Sequence, residues 1–133
     1  MITQDLAAAQ ILFILASDNA AQLKDLARDL QHSKYRYYFA PHTDRTNLLQ
    51  SVKQQIAANN ARIPAVLVIN YDFAGNDCES LIELVHITSK SAAIECLVTQ
   101  PPKHKTARER LVNLGARLFD GEDSRTMAEL TLH

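Results

Sequence analysis

Several oxygen-bearing side chains follow the apolar stretches of this sequence, and their types could support metal binding or phosphoryl transfer. They are Ser17, Asp18, Asn70, Asp72, Thr99 and Asp120. Carboxylate, hydroxyl and amide oxygens are ligands for hard divalent cations such as Mg²⁺. A carboxylate can also act as the nucleophile of a covalent step. Spacing alone does not fix the distances between these groups, so a metal site is an expectation that depends on the fold.

The stretch Val66–Cys78, which contains Asn70 and Asp72, is the most informative part of the sequence about a functional site. Its apolar half predicts a buried strand that leads to Asn70, and Asp72 follows in an acidic loop that contains Gly75. In an open α/β sheet, ligands bind outside the carboxyl ends of the strands. Because side chains alternate along a strand, a shift of two residues preserves their facing. Periodicity therefore leaves both Asn70 and Asp72 open as the residue at the key position.

Strands and helices alternate along the chain and would bring these side chains to one edge. Continuous apolar runs such as Ile11–Ala16 are typical of parallel strands buried on both faces. The predicted strands are 11–16, 35–40, 65–69, 93–99 and 117–119, and Pro41–Asp44 is predicted to form a turn after the second of them. The predicted helices carry the apolar positions in 23–30, 48–56, 81–85, 106–114 and 124–132. This (βα)5 order predicts the α/β class with a parallel sheet.

The apolar spacing also predicts which residues pack inward. These are Tyr35, Tyr37 and Phe39 in the second strand, and Leu48, Leu49, Val52 and Ile56 in the second helix. Cys78 and Cys96 each fall inside a predicted element and form no C-x-x-C pair, which favours packing residues over a redox or metal site. The five histidines show no ligand spacing, so we do not expect zinc.

Length and composition predict one globular domain, 1–133, with a core from about 11 to 130. The net charge of −1 gives no reason to expect nucleic acid or an anionic membrane as a partner. The longest apolar run, Ile11–Ala16, is far shorter than the roughly 20 residues of a spanning helix. The unpaired cysteines and the lack of a basic N-terminal signal lead us to expect a cytoplasmic protein.

From Ile11 to about Leu130, the chain resembles the receiver domains of bacterial response regulators in the order and spacing of its elements. Val66–Leu84 resembles the family's third strand and loop, with Ala74–Cys78 where the family usually has Pro-Gly-x-Asp-Gly. Leu97–Thr99 resembles the fourth strand, and Gly115–Asp120 the fifth. The resemblance implies a doubly wound, flavodoxin-like sheet with strand order 2-1-3-4-5. It also implies a module of two-component signalling and not an enzyme.

The sequence departs from the family at the positions that carry its chemistry. By resemblance, Ser17 replaces the first acid of the acidic pair, Asn70 the phosphoacceptor aspartate and Asp120 the lysine, whereas Asp18 and Thr99 keep the family's residue types. An amide oxygen is a poor nucleophile for phosphoryl transfer. A charge about 4 Å from the phosphoryl group is worth roughly 4 kcal/mol at an effective dielectric near 20. The departures therefore imply a pseudo-receiver without a resident cofactor.

Two alternatives depend on other residues. A functional receiver would use Asp72 as acceptor and hold Mg²⁺ through Asp18 and Asp72, although Asp18 is equally placed to cap the first helix. A flavin-binding α/β protein is the weaker alternative, because the segment Ser17–Ala21 has no glycine-rich phosphate loop and carries an acid.

The resemblance also implies where partners would bind. In the family, the face formed by the fourth helix, fifth strand and fifth helix makes protein contacts, including homodimers. The corresponding residues here are 106–114, Arg117 and 124–130. The basic segment Lys103–Arg110 could dock an acidic partner or a phosphate, or it is a solvated helix face. We expect a protein partner or an attached output domain, and neither nucleic acid nor membrane.

Overall fold

A five-stranded sheet forms the centre of the structure. The computed structural model describes residues 10–18, 36–59, 63–88 and 94–119, together with positions 21, 24 and 28. The strands are β1 (Gln10–Ala16), β2 (Arg36–His42), β3 (Ala65–Asn70), β4 (Ile94–Thr99) and β5 (Arg117–Phe119). The helices with described bounds are α1 (Leu48–Asn59), α2 (Tyr71–Ala74), α3 (Asp77–Thr88) and α4 (Lys105–Asn113). The alternation predicted from the sequence is confirmed in these ranges.

The strands pair in parallel in the order β2-β1-β3-β4-β5, which confirms the predicted topology. Leu67 at the middle of β3 is in register with Ile14 of β1 and with Cys96 of β4. Parallel neighbours need crossover connections that cover the faces of the sheet. Because all five strands run in the same direction, their carboxyl ends lie at one edge of the sheet.

Every residue of β3 is buried because both faces of the sheet are covered. Leu67 and Ile69 belong to the core cluster that includes Val52 of α1 and Leu81 of α3. The alternate side chains of β3 join a second cluster on the opposite face. Its members are Phe13, Leu15, Val66, Val68, Leu97 and Phe119. The continuous apolar runs in β1 and β3 therefore reflect burial on both sides, as predicted.

Two residues predicted to pack inward are more than one third exposed. Phe39 is 36% exposed because β2 is the edge strand, although its ring still stacks on Phe13 with a centroid distance of 5.7 Å. Leu49 is 37% exposed, whereas its neighbour Leu48 is 1% exposed and takes the inward position at the start of α1. The side chains of Tyr35 and Tyr37 lie outside the described part of the chain.

β2 also extends two residues beyond the predicted strand, through Pro41 and His42, which the sequence suggested were a turn. Proline lacks the N–H group that a ladder requires, and edge strands tolerate it for that reason. The position of β2 at the edge of the sheet therefore explains the difference.

Gly115 ends α4, as the sequence predicts, although the helix is shifted by one residue to Lys105–Asn113. Gly115 has a φ of 111°, which glycine adopts without the steric cost of a Cβ. Its N–H donates to the Val112 carbonyl at 2.9 Å, and the N–H of Ala116 donates to the Leu111 carbonyl at 3.1 Å. These two bonds form a Schellman motif, which satisfies the last carbonyls of the helix.

The predicted first and last helices fall largely or wholly outside the described residues. Positions 21, 24 and 28 have helical backbone, in agreement with the first of them. The segment 124–132 and Asp120 are not described. Among the helices that are described, none has the length and apolar character needed to cross a membrane.

Both cysteines are packing residues, as predicted. Cys78 is 0% exposed and Cys96 is 2% exposed, and both belong to the same core cluster. Burial raises the pKa of the Cys78 thiol to about 12 and also raises the pKa of Cys96. Because the thiolate is the reactive form, neither thiol is a nucleophile near neutral pH.

His42 at the end of β2 should make the fold less stable in mild acid. Burial lowers its pKa below the ordinary value of 6.5, and its buried Nε2 atom has no hydrogen-bond partner among the described residues. The unfolded chain therefore binds the proton more tightly, so the stability that His42 contributes is present above pH 6.5 and is lost as the pH falls. Urea unfolding on either side of this pH should show a smaller loss for His42→Phe than for the wild type. An equal loss in both proteins would contradict the assignment.

Candidate functional site

The carboxyl ends of β1, β3 and β4 bring three of the predicted site residues to one place. Asn70 ends β3 and is in register with Thr99 at the end of β4. Ser17 follows Ala16, which is in register with Ile69. All three are buried, with exposed fractions of 1% for Ser17, 6% for Asn70 and 1% for Thr99. The structure therefore places a buried polar layer at this edge, whereas the chemical role of each residue stays a prediction.

Asn70 caps a short helix that the sequence analysis did not predict. Its Oδ1 atom accepts a hydrogen bond from the Phe73 N–H at 3.2 Å, which makes Asn70 the N-cap of α2. The sequence predicts a loop at Tyr71–Ala74, because four residues are too few to show helical periodicity. Asparagine before the segment was the available signal, since it is among the preferred N-cap residues.

Thr99 has its hydroxyl group bonded to the neighbouring strand. Its Oγ1 atom donates to the Ile69 carbonyl at 3.4 Å, one residue before Asn70. The contact joins the ends of β3 and β4 below the candidate site. This geometry gives Thr99 a structural role as a strand-end hydrogen-bonding residue.

Asp18 and Asp72 are exposed and line an open cleft above the buried layer. Asn70, Phe73 and Gln100 complete the lining of this carboxyl-edge cleft, whose volume is about 460 Å³. Asp72 lies in the first turn of α2, two residues beyond the strand end. Asn70 is therefore the last residue of β3, and Asp72 lines the same cleft from α2.

The cleft offers two carboxylates as possible Mg²⁺ ligands, and water would have to supply most of the other ligands. Mg²⁺ is usually held by one or two carboxylates together with several waters, and Asp18 and Asp72 could supply two carboxylates. No group of three or more His, Cys, Asp or Glu within the described ranges is placed to hold a metal ion. Metal ligation by Asp18 and Asp72 therefore stays a prediction.

The cleft lacks a nearby cation among its described lining residues, which include neither lysine nor arginine. A phosphoryl group carries negative charge, so a carboxylate pair such as Asp18 and Asp72 would repel it unless a cation intervened. Asp120, which by resemblance replaces the family's lysine, lies outside the described residues.

Arg45 is a contact residue that sequence reasoning missed. Its guanidinium lies directly over Gly75, where an added Cβ would come within 2.5 Å of the Nη2 atom. Gly75 has a φ of 55°, and its N–H donates to the Tyr71 carbonyl at 2.9 Å at the end of α2. Glycine is therefore required here by the backbone conformation, whereas the flexible end of the Arg45 side chain could shift to admit a Cβ. No sequence pattern indicated that this long side chain would cross from the loop after β2.

Substitution of Gln100 by glycine should give a more stable protein than substitution by alanine. Gln100 has a φ of 51° immediately after β4, in the left-handed region that favours glycine. Strained backbone of this kind is typical of functional sites. Gln100→Gly and Gln100→Ala remove the same side chain, but only glycine relieves the strain, so Gly should be more stable by about 1 kcal/mol in urea unfolding. Equal stability of the two variants would show that the backbone is not strained.

Comparisons with known proteins identify the fold. A response regulator receiver domain from Rhodospirillum rubrum superposes with a TM-score of 0.66 and 11% sequence identity over 91% of both chains. The de novo designed protein PLOOP2X3_50 superposes with a TM-score of 0.54 and 18% identity over 93% of this chain and 91% of that one. No family model and no curated relative matches the sequence.

These similarities concern the backbone, because both identities are low and one of the two proteins was designed. The strand order and the position of Asn70 at the end of the central strand were established independently of them. Together, the parallel 2-1-3-4-5 sheet and the similarity over nine tenths of the chain show that this protein has the fold of a response regulator receiver domain.

Proposed function

We propose that this chain is a pseudo-receiver of two-component signalling, which acts as a protein-interaction or dimerisation module and not as a phosphoacceptor or an enzyme. The observation that carries the proposal is Asn70. An amide occupies the end of the central strand, is 6% exposed, and uses its Oδ1 atom to cap α2. Its structural role as a cap is compatible with the loss of a chemical role.

Phosphoryl transfer would require groups that Asn70 and the described lining of the cleft do not offer. The acceptor must be a carboxylate to form an acyl phosphate, and an amide oxygen does not replace it. The developing charge must be neutralised by a metal ion or a cation. The described lining of the cleft supplies two acids and no basic side chain. The proposal therefore includes no resident cofactor.

The interaction role is supported by the surface of α4 and β5. Val112 on α4 is 52% exposed, and Arg117 on β5 is also exposed. Arg117 pairs with Glu95 on the neighbouring strand at 3.6 Å. Exposed ion pairs of this kind contribute little to stability, so these residues are free to serve recognition. A partner protein, an attached output domain or a second copy would bind this face, in the cytoplasm.

A second candidate function is a Mg²⁺-dependent receiver that is phosphorylated on Asp72. It is favoured by one observation, since Asp72 is exposed and lines the same cleft as Asp18. In this candidate, Asp18 would hold the metal, which would neutralise charge on the phosphoryl oxygens. Asp72 would act as the nucleophile.

The two candidates are separated by incubation with acetyl phosphate and Mg²⁺ followed by intact-mass measurement. A pseudo-receiver should gain no phosphoryl mass. A Mg²⁺-dependent adduct that disappears in Asp72→Asn would establish the second candidate instead. Asp44→Asn is the matched control, because Asp44 is an exposed acid outside the cleft whose Oδ1 only accepts from the Thr46 N–H. An adduct lost in both variants would not be assigned to Asp72.

A further inference from the structure

A groove between α4 and β5 has a charge and shape that the proposed interaction role does not yet explain. We call it the α4–β5 groove. Its lining residues are Lys103, Lys105, Arg108, Glu109, Val112, Asn113 and Leu118. It lies away from the carboxyl-edge cleft, with which it shares no lining residue.

The rim of the α4–β5 groove is cationic, although the whole chain has a net charge of −1. Three basic residues line it against the single acid Glu109. Lys105 and Glu109 are 3.8 Å apart with side chains 89% and 60% exposed, so water screens their attraction. A local positive field on a slightly acidic protein attracts negatively charged partners and increases their rate of association.

The groove also offers an apolar contact between its charges. Val112 is 52% exposed although it is aliphatic, and the half-buried Leu118 lies beside it in the lining. Burial of such surface by a partner is favourable by roughly 25 cal/mol per Å². A bare anion would gain from the lysines alone, whereas a polypeptide could also cover Val112. The combination therefore favours an acidic protein segment with an apolar side chain.

The charge pattern disfavours a symmetric homodimer through this groove. A two-fold dimer places the same surface patch of each copy against itself. Each patch has three basic residues and one acid, so two net-positive surfaces would face each other, and like charges across an interface cost binding energy. The occupant should therefore be a different polypeptide surface of opposite charge.

We propose that the α4–β5 groove binds an acidic segment of a partner protein, with carboxylates against Lys103 and Lys105 and an apolar side chain against Val112. This inference rests on the proposed interaction function and names the chemistry of the partner. The apolar contact gives affinity, and the charges select the partner and orient it.

The test is a selection of random displayed peptides on the immobilised full-length chain, run in parallel on a Lys103→Glu, Lys105→Glu variant. Enriched peptides should be acidic and carry a bulky apolar residue. Their synthetic versions should bind the double variant at least about tenfold more weakly, as expected when charge complementarity across the interface is reversed at two positions. Val112→Ser should weaken binding several-fold, and added salt should weaken it further.

Lys24→Glu, Lys53→Glu is the matched control, since it makes the same charge change at two exposed positions outside the groove. Peptide affinity should be unchanged in it, and thermal unfolding should show that all variants are folded. Enrichment of neutral or basic peptides, or equal enrichment on the double variant, would overturn the inference. So would a wild-type dimer in sedimentation that dissociates in Lys103→Glu. Phosphorylation of the wild type would refute the proposed function without changing the peptide result, so the two failures are distinguishable.

Discussion

The double variant Asn70→Asp, Asp120→Lys should accept a phosphoryl group from acetyl phosphate in the presence of Mg²⁺, whereas the wild-type chain should not. The first substitution supplies a carboxylate at the end of β3, where the wild-type amide is 6% exposed. Aspartate is as good an N-cap as asparagine, so α2 should keep the bond from the Phe73 N–H. The fold should therefore survive the change.

The second substitution supplies the cation that the described lining of the carboxyl-edge cleft lacks. In the resemblance to receivers, position 120 corresponds to the family's lysine, the cation that pairs with the phosphorylated product. A unit charge about 4 Å away is worth roughly 4 kcal/mol at an effective dielectric near 20. That free energy corresponds to about a thousandfold in rate. Asn70→Asp alone should therefore be phosphorylated far more slowly than the double variant.

The matched control for this prediction is Asn76→Asp, Asp120→Lys. Asn76 is exposed after α2 and is not part of the cleft lining, so this protein has the same net charge without a carboxylate at position 70. Intact-mass measurement at several times gives the rate for each protein. Equal phosphorylation of the control and the double variant would show that position 70 is not the acceptor position.

The α/β class with a parallel sheet could be predicted from the sequence because burial on two faces leaves a clear pattern, whereas the strand order was implied by the resemblance to receiver domains. β3 has no polar residue before Asn70, and each of its side chains is buried. The same reasoning was less accurate at the edge of the sheet. Pro41 lies inside β2 because an edge strand tolerates a missing N–H, and composition suggested a turn there.

The sequence predicted that Ser17, Asn70 and Thr99 follow strands at one edge of the sheet, but not the local geometry around them, and their chemical roles stay predictions. Alternation left Asn70 and Asp72 equivalent, and only the strand end and the cap to Phe73 distinguish them. The contact of Arg45 with Gly75 could not be anticipated, since it joins two loops through a long side chain. Contacts of this kind depend on tertiary packing, which has no period along the chain.

Leu67→Ala should destabilise the fold by about 3 to 4 kcal/mol, the cost of removing a fully buried leucine and leaving a cavity. Leu67 is 0% exposed at the middle of β3, in register with Ile14 and Cys96. Neighbouring strands on both sides limit how far the backbone can move to fill the space. Urea unfolding of the variant and the wild type measures the difference.

The position of Asn70 depends on the same packing, because β3 must be fixed in the sheet for its last residue to lie beside Thr99. Leu49→Ala is the matched control: it is the same substitution at a residue 37% exposed on α1, and it should cost less than about 1 kcal/mol. Similar losses in the two variants would mean that β3 is not the rigid centre of the sheet. The assignment of Asn70 as the buried strand-end residue would then fail with it, since a mobile β3 could not hold that side chain in one place.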